Sequence, residues 1–391
     1  MSKDRLILTV NLGSSSIKFV AYVGKNVEYR ANLVNQDLPK IECSSTKTDQ
    51  YECASQTTEP YEVDYLTLFR KLLSVVKQRT PGLKIDAVGH RIVHGGIEFT
   101  KPTLLTPQAI PLLESLSKFA PIHQKLNLTG VNVMRALLPE VPQVGCFDTV
   151  FHQTMPLHES VLGLPISYFR MGIKRYGFHG LSYESIVQQL QRIDQHAVTG
   201  RTVICHLGAG ASLCGLLSGK SVATTMSCTP LDGLLMNTRA GSIDPGVILY
   251  LIRNEYKTPD QIERLLMSES GLLGLSGISG DTSVLLRNSS LAAREALDVF
   301  CYRIVCGIGS MVAALKGIDA IVFTGGIGEN SPHIRATICQ HFEWLGISID
   351  HGANNNNVEI LHSSGSKVSI FKLSSDENSV IRDHTAETLC T

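Results

Sequence analysis

A short stretch near the N-terminus recurs, without a gap, in the middle of the chain. Leu8-Thr-Val-Asn-Leu-Gly-Ser-Ser-Ser16 can be laid on Val203-Ile-Cys-His-Leu-Gly-Ala-Gly-Ala211. Both read as a strand, a polar residue, Leu-Gly, small residues and a second strand. Such a repeat points to two related lobes, each opening on a strand–turn–strand hairpin. Two unrelated hairpins with glycine turns are the plainer alternative for so short a match.

The rest of the pattern is α/β. Short β-like runs such as Leu6–Val10 and Ile17–Val23 alternate with helical patterns. Tyr65, Phe69, Leu72 and Val76 recur at helical spacing before the stop signal Pro81-Gly82. Leu297, Phe300, Ile304, Ile308, Met311 and Leu315 share one face of a later helix. Residues 44–60 and 354–357 are polar and read as surface loops. A strand over 144–148 ends at Asp148, which puts a lobe boundary near Thr149. The expected division is 1–149 with 383–391 as the first lobe and 150–382 as the second.

Composition excludes several function classes. Lys+Arg and Asp+Glu are both 35, with no basic stripe, which argues against nucleic acid as a partner. The N-terminus lacks the apolar region and cleavage site of a secretory signal, and the uncharged helical stretch 304–315 is too short to span a bilayer. Ten cysteines include no Cys-x-x-Cys pair, so they read as reduced core residues of a cytoplasmic protein.

Two nucleotide signatures nearly match and fail. Gly215-Leu-Leu-Ser-Gly-Lys-Ser221 is one residue short of a P-loop and reads as a hairpin connection. Gly326-Ile-Gly328 has Ser331 where a dinucleotide fingerprint needs its third glycine. Three other glycine segments fit phosphate better. Asn11–Ser16 offers amides and hydroxyls with Lys18 close behind. His206-Leu207-Gly208-Ala209-Gly210 is small enough for a backbone to approach a phosphate. Thr324–Asn330 leads to Ser331-Pro332, an N-cap and first helical residue, and a helix start favours an anion.

Candidate acid-binding groups follow. The period of a strand puts Arg91 and Val93 on one face, a cation beside a small apolar side chain, as a short alkyl carboxylate needs. A structural salt bridge is the competing role for Arg91. Asp148 precedes Thr149, Arg239 lies in the loop 237–241, and glycines flanking Phe178-His179 could let the imidazole project.

Together these segments resemble the acetate/propionate kinase family of the actin-like ATPase superfamily. Matching runs include Val10–Lys18, His94-Gly-Gly96, Ala120–His123, Cys146–Thr149 with Phe151–Pro156, and Arg175–Gly180. Thr229–Leu231, Thr238-Arg239, Ile243–Pro245, Ser270–Gly277 and Phe323–Ser331 continue the series in order, so the resemblance covers residues 6 to about 384. It implies a two-lobed actin-like (ribonuclease H-like) fold of duplicated sheets flanked by helices, closing over a cleft, and a homodimer.

The implied activity is reversible phosphoryl transfer between ATP and acetate, giving acetyl phosphate and ADP, with propionate as the alternative acid. Asn11 and Glu377 would hold Mg²⁺, with Mn²⁺ the other candidate ion. Lys18, His206–Gly210, Asp281, Thr282, Ser283 and Gly326, Ile327, Gly328, Glu329 and Asn330 would line the ATP site. Arg91 would bind the carboxylate, Asp148 would be the catalytic carboxylate, and His179 and Arg239 would stabilise the transition state. Val93, Ile122, Phe178 and Pro230 would enclose the alkyl end.

The chemistry is consistent with those roles. A carboxylate attacking a γ-phosphate brings two anions together, which cations must offset. The nucleophile is already ionised, so Asp148 fits an orienting role better than that of a base, and direct in-line transfer is the simplest route. The chain departs from the family pattern at Ala209, at Gln124-Lys125, at Leu181-Ser-Tyr183 beside His179, and at Ser283. A catalytically silent nucleotide-binding protein on the same fold is the alternative from another class.

Overall fold

The computed structural model describes residues 5–13, 16–34, 40–43 and 64–390. The expected surface loop at 44–60, and Ser14 and Ser15 of the first glycine segment, lie outside the described residues. The chain falls into two compact units, Met1–Val150 with Asp376–Thr391, and Phe151–Ser375.

The first unit is built on a mixed sheet. Its strands are β1 (Leu6–Leu12), β2 (Ser16–Val23), β3 (Asn26–Val34), β4 (Lys40–Cys43), β5 (Ile85–Ile92), β6 (Thr103–Leu104) and β7 (Gln143–Phe147). Their order is β4-β3-β2-β1-β5-β7-β6. β1, β2 and β3 form an antiparallel meander, while β1, β5 and β7 run parallel.

Strand alternation assigns the two faces of β1. Leu6, Leu8, Val10 and Leu12 join Phe69, Leu72 and Val76 of the helix Tyr65–Arg79 in one core cluster. Thr9 and Asn11 point the other way and meet the helix Glu377–Thr388, Thr9 donating to Asn378 at 3.1 Å. That helix seats closely because β5 carries Gly89. A Cβ there would lie 2.2 Å from Thr385 Oγ1 and 2.6 Å from Ile381 Cγ2. Asp376 caps the helix by accepting from the Ser379 amide. The whole helix packs on β1, β5 and β7, so the chain re-enters the first unit at Asp376 rather than at the expected 383.

The second unit repeats this plan. Its strands are β8 (Arg201–Leu207), β9 (Ala211–Leu217), β10 (Lys220–Thr224), β11 (Ala320–Thr324) and β12 (Ser369–Lys372), in the order β10-β9-β8-β11-β12. β8, β9 and β10 are an antiparallel meander, and β8, β11 and β12 run parallel. This is the topology of β3-β2-β1-β5-β7. The gapless alignment holds to the residue, since β1 and β8 end at Leu12 and Leu207 while β2 and β9 begin at Ser16 and Ala211. The near-miss P-loop is a hairpin, as expected. Ser218 and Gly219 carry φ of 51° and 72°, the left-handed pair of a two-residue turn between β9 and β10.

Two expectations about segments need correction. The apolar helix runs Leu291–Leu315, well beyond the stretch 304–315, and is long and apolar enough to cross a bilayer by length and composition. It lies along β8, β9 and β10, with all six residues of the expected face buried. Residues 354–357 are a surface loop only in part: Asn354 and Asn355 end a helix, while Asn356 and Asn357 form a turn. Asp350 caps the helix His351–Asn355, and Asn354 is buried against the guanidinium of Arg335.

Candidate active-site groups

In the first unit, a line of polar side chains crosses the ends of the central strands. Asn11 is the last polar residue of β1, Arg91 sits near the end of β5, and Asp148 follows β7, its amide donating to the Ile92 carbonyl at 3.0 Å. Arg91 meets Asp148 through a bidentate fork, Nε to Oδ1 at 3.0 Å and Nη2 to Oδ2 at 2.6 Å. Arg91 Nη1 donates to Asn11 Oδ1 at 3.2 Å, and Asn11 Nδ2 donates to Glu377 Oε2 at 2.6 Å. Burial works against the Arg91 charge, but the Asp148 and Glu377 carboxylates outweigh it and hold the guanidinium above its ordinary value.

The salt-bridge role weighed for Arg91 is therefore realised in this structure. A guanidinium has five N–H groups, and the partners above leave one on each terminal nitrogen for a ligand. Val93 is not in the strand with Arg91. β5 ends at Ile92, and Val93 is buried with its amide on Asn127 Oδ1 at 2.8 Å. Ile122 is in the first turn of the helix Pro121–Leu137 and is exposed. Lys18 is the cross-strand neighbour of Asn11 and shares its face.

Metal binding can be tested on this arrangement. Glu377 offers a carboxylate, the hard ligand type that Mg²⁺ takes while keeping waters and substrate phosphates for its other positions, whereas Asn11 turns its Nδ2–H to Glu377 and its Oδ1 to Arg91. Among the described residues no three His, Cys, Asp or Glu side chains gather as a metal cluster. A single carboxylate fits an ion held mainly by phosphate and water, and Asn11 would have to give up its bond to Arg91 to add an oxygen.

In the second unit the chemistry gathers at the turn between β8 and β9. His179 precedes the helix Gly180–Ile193 with φ 59°, a left-handed conformation uncommon for a residue with a side chain. Its ring stacks on His206 with centroids 4.2 Å apart. A Cβ on Gly210 would lie 3.3 Å from His179 Nε2 and 3.7 Å from Arg239 Nη1. Only a glycine leaves open the space on which those two groups converge. Arg239 Nη1 also donates to the Pro230 carbonyl at 3.1 Å, so Pro230 supports Arg239, and its side chain is buried.

Two of the nucleotide segments of this unit, 206–210 and 326–330, meet at the same turn. A Cβ on Gly208 would lie 3.8 Å from the Gly326 amide nitrogen, and Gly325 packs on the Leu207 carbonyl. The expected loop at 324–330 is, from its second residue on, a short helix, Gly325–Asn330. Its first amide is taken by a carboxylate of the protein, since Gly325 N donates to Glu329 Oε1 at 3.0 Å. The next helix, Pro332–Gln340, starts as expected, with Ser331 accepting from Ile334 and Pro332 in its first turn. Asp281 is exposed and caps the helix Thr282–Arg287 through the Ser283 amide at 2.7 Å.

Four supporting residues escaped the sequence reading. Asn127 also donates to the Leu12 carbonyl at 2.7 Å, tying the ends of β1 and β5 together. His152 bridges Ser221 Oγ and the Phe178 carbonyl, at 2.8 and 2.9 Å, and so holds the peptide before His179. Burial pushes its pKa down to about 4, so it is neutral, with Nε2–H donating to the carbonyl. Arg335, fully buried, donates to the Gly328 and Glu329 carbonyls and anchors the Gly325–Asn330 helix. Asn237 donates its amide to the Ala209 carbonyl at 3.5 Å, while Gly280 packs on its own carbonyl. Its Oδ1 is buried without a hydrogen-bond partner among the described residues. A lone buried arginine has no sequence signature, whereas His152 stood within a matched family segment.

The acetokinase family model matches residues 6–383. Acetate kinase of Methylocella silvestris is 39% identical, over 98% of this chain and 97% of that protein. Acetate kinase of Porphyromonas gingivalis, a crystal structure, superposes with a TM-score of 0.84 at 32% identity, covering 98% of this chain and all of that one. A propionate kinase from Francisella tularensis superposes at 0.86 with 31% identity, covering 98% and 99%.

Proposed function

The chain belongs to the acetokinase family of enzymes, and on that premise we propose that it catalyses reversible phosphoryl transfer between ATP and acetate. The observation that carries the reading is the convergence of His179 Nε2 and Arg239 Nη1 on the space Gly210 leaves open. Two nitrogen groups facing one small void suit a phosphoryl group whose charge spreads over equatorial oxygens.

Each unit contributes a set of groups. In the first, Arg91 holds the acid's carboxylate with its remaining N–H groups, and Asp148 fixes the plane of that guanidinium. Glu377 and Asn11 would hold Mg²⁺, which supplies positive charge against the phosphates. In the second, His206–Gly210, Asp281–Ser283 and Gly326–Asn330 take the nucleotide, while His179 and Arg239 donate to the moving phosphoryl group. Both arginines offset the repulsion between two anions. The short alkyl end is assigned to Val93 and Ile122 in the first unit and to Phe178 and Pro230 in the second, with propionate a second acid. The enzyme works in the cytoplasm as a homodimer. The helix Pro245–Asn254 buries Leu251 and leaves Val247, Leu249, Tyr250 and Ile252 exposed, an apolar face suited to a second copy.

The test is ATP formation from ADP with acetyl or propionyl phosphate and Mg²⁺. Turnover with acetyl phosphate is expected, and with propionyl phosphate at a lower rate. Binding of Mg-ADP with no turnover of either acyl phosphate would make the chain a silent nucleotide-binding protein.

A further inference from the structure

His179 can present Nε2–H to a ligand only if its Nδ1 carries no proton, so something must choose the tautomer. Nδ1 lies 2.8 Å from Ser212 Oγ, and Ser212 Oγ is also hydrogen-bonded to the Tyr183 hydroxyl. Ser212 and Tyr183 are both fully buried. Ser212 Oγ is the one hydrogen-bond partner of the Tyr183 hydroxyl among the described residues.

Proton counting then fixes the direction. Ser212 has one hydroxyl proton and two neighbours. If it donated to Tyr183, the tyrosine's own proton would be a buried donor without an acceptor, which is costly. If Tyr183 donates to Ser212, the serine proton goes to His179 Nδ1 and every group is satisfied. We propose that Tyr183, through Ser212, is a positioning relay that holds neutral His179 as the Nε2–H tautomer. Tyr183 suits this task because burial pushes its phenol pKa well above the ordinary value, keeping it a donor throughout the working range.

The same relay makes His179 a donor and removes it as a nucleophile, since an Nε2 bearing hydrogen offers no lone pair. On the proposed reaction, on which this inference builds, a donor is what the phosphoryl oxygens need.

The experiment reads the tautomer directly, by nitrogen-15 NMR of the full chain labelled at histidine, with His179→Gln to assign the signals. Wild type should show His179 protonated at Nε2. Tyr183→Phe, which keeps the ring packing, should let Nδ1–H appear, and Ser212→Ala should do the same. In Tyr183→Phe, kcat should fall about tenfold, the scale of one hydrogen bond, with KM values nearly unchanged. Protonation at Nδ1 in wild type, or an unaltered Nε2–H form in both variants, would overturn the relay. A tautomer change with wild-type kcat would uphold the relay and instead sink the role of His179 in the reaction.

Discussion

Arg91 is the residue around which the first unit's polar groups are arranged, with Asp148 on its fork and Asn11 and Glu377 in line beyond. On the proposed reaction its donors would serve the acid and the scaffold at once. Arg91→Ala should therefore raise KM for acetate by roughly ten- to a hundredfold, the scale of a charge-assisted contact, and KM for ATP far less. Equal changes in both would assign Arg91 to structure alone. The sequence placed Arg91 in one strand and Asp148 at the end of another but could not pair them, because they are 57 positions apart. It also overextended the strand to Val93. The real β5 stops at Ile92, where Asn127 takes the next amide. Residue types and approximate places were legible; pairings made across the sheet were not.

Among the elements, both sheets rest on buried, neutral histidines that carry strand ends. His90 on β5 bonds Gln143 on β7 at 2.7 Å, and His152 ties Ser221 on β10 to the Phe178 carbonyl. Burial lowers each from 6.5 to about 4. The unfolded chain then binds more protons than the native one between those values, so stability is full above pH 6.5 and falls as pH drops towards 4. The loss is up to roughly 3 kcal/mol per histidine. Urea unfolding at pH 7 and pH 5 should show a lower midpoint at pH 5, and His152→Gln should flatten the difference. An identical midpoint at both values would mean that neither histidine is held neutral. At this scale the sequence was most informative. Helical spacing found the buried faces of Tyr65–Arg79 and Leu291–Leu315, and hairpin chemistry rejected the false P-loop at Ser218-Gly219. Polarity misled at Asn354, which looks like loop material but caps no surface. It faces Arg335, a buried cation satisfied by carbonyls and amides.

For the whole molecule, the duplicated hairpin was the most legible feature, because equivalent strands end and begin at equivalent residues. Less visible was the return of the last helix to the first unit. It depends on Gly89 admitting Ile381 and Thr385, and it brings Glu377 to Asn11. In the assembled protein, on the proposed reaction, the phosphoryl group passes from ATP to the acid in a single step. Asp148 is engaged by Arg91, and on the proposed relay His179 is held as a donor, which leaves neither free to carry phosphate. One in-line displacement inverts configuration at phosphorus, and two restore it. ATP made chiral at its γ-phosphorus with oxygen isotopes, turned over with acetate, should yield acetyl phosphate of inverted configuration. Retention would contradict a single step and require a phosphorylated side chain on the way.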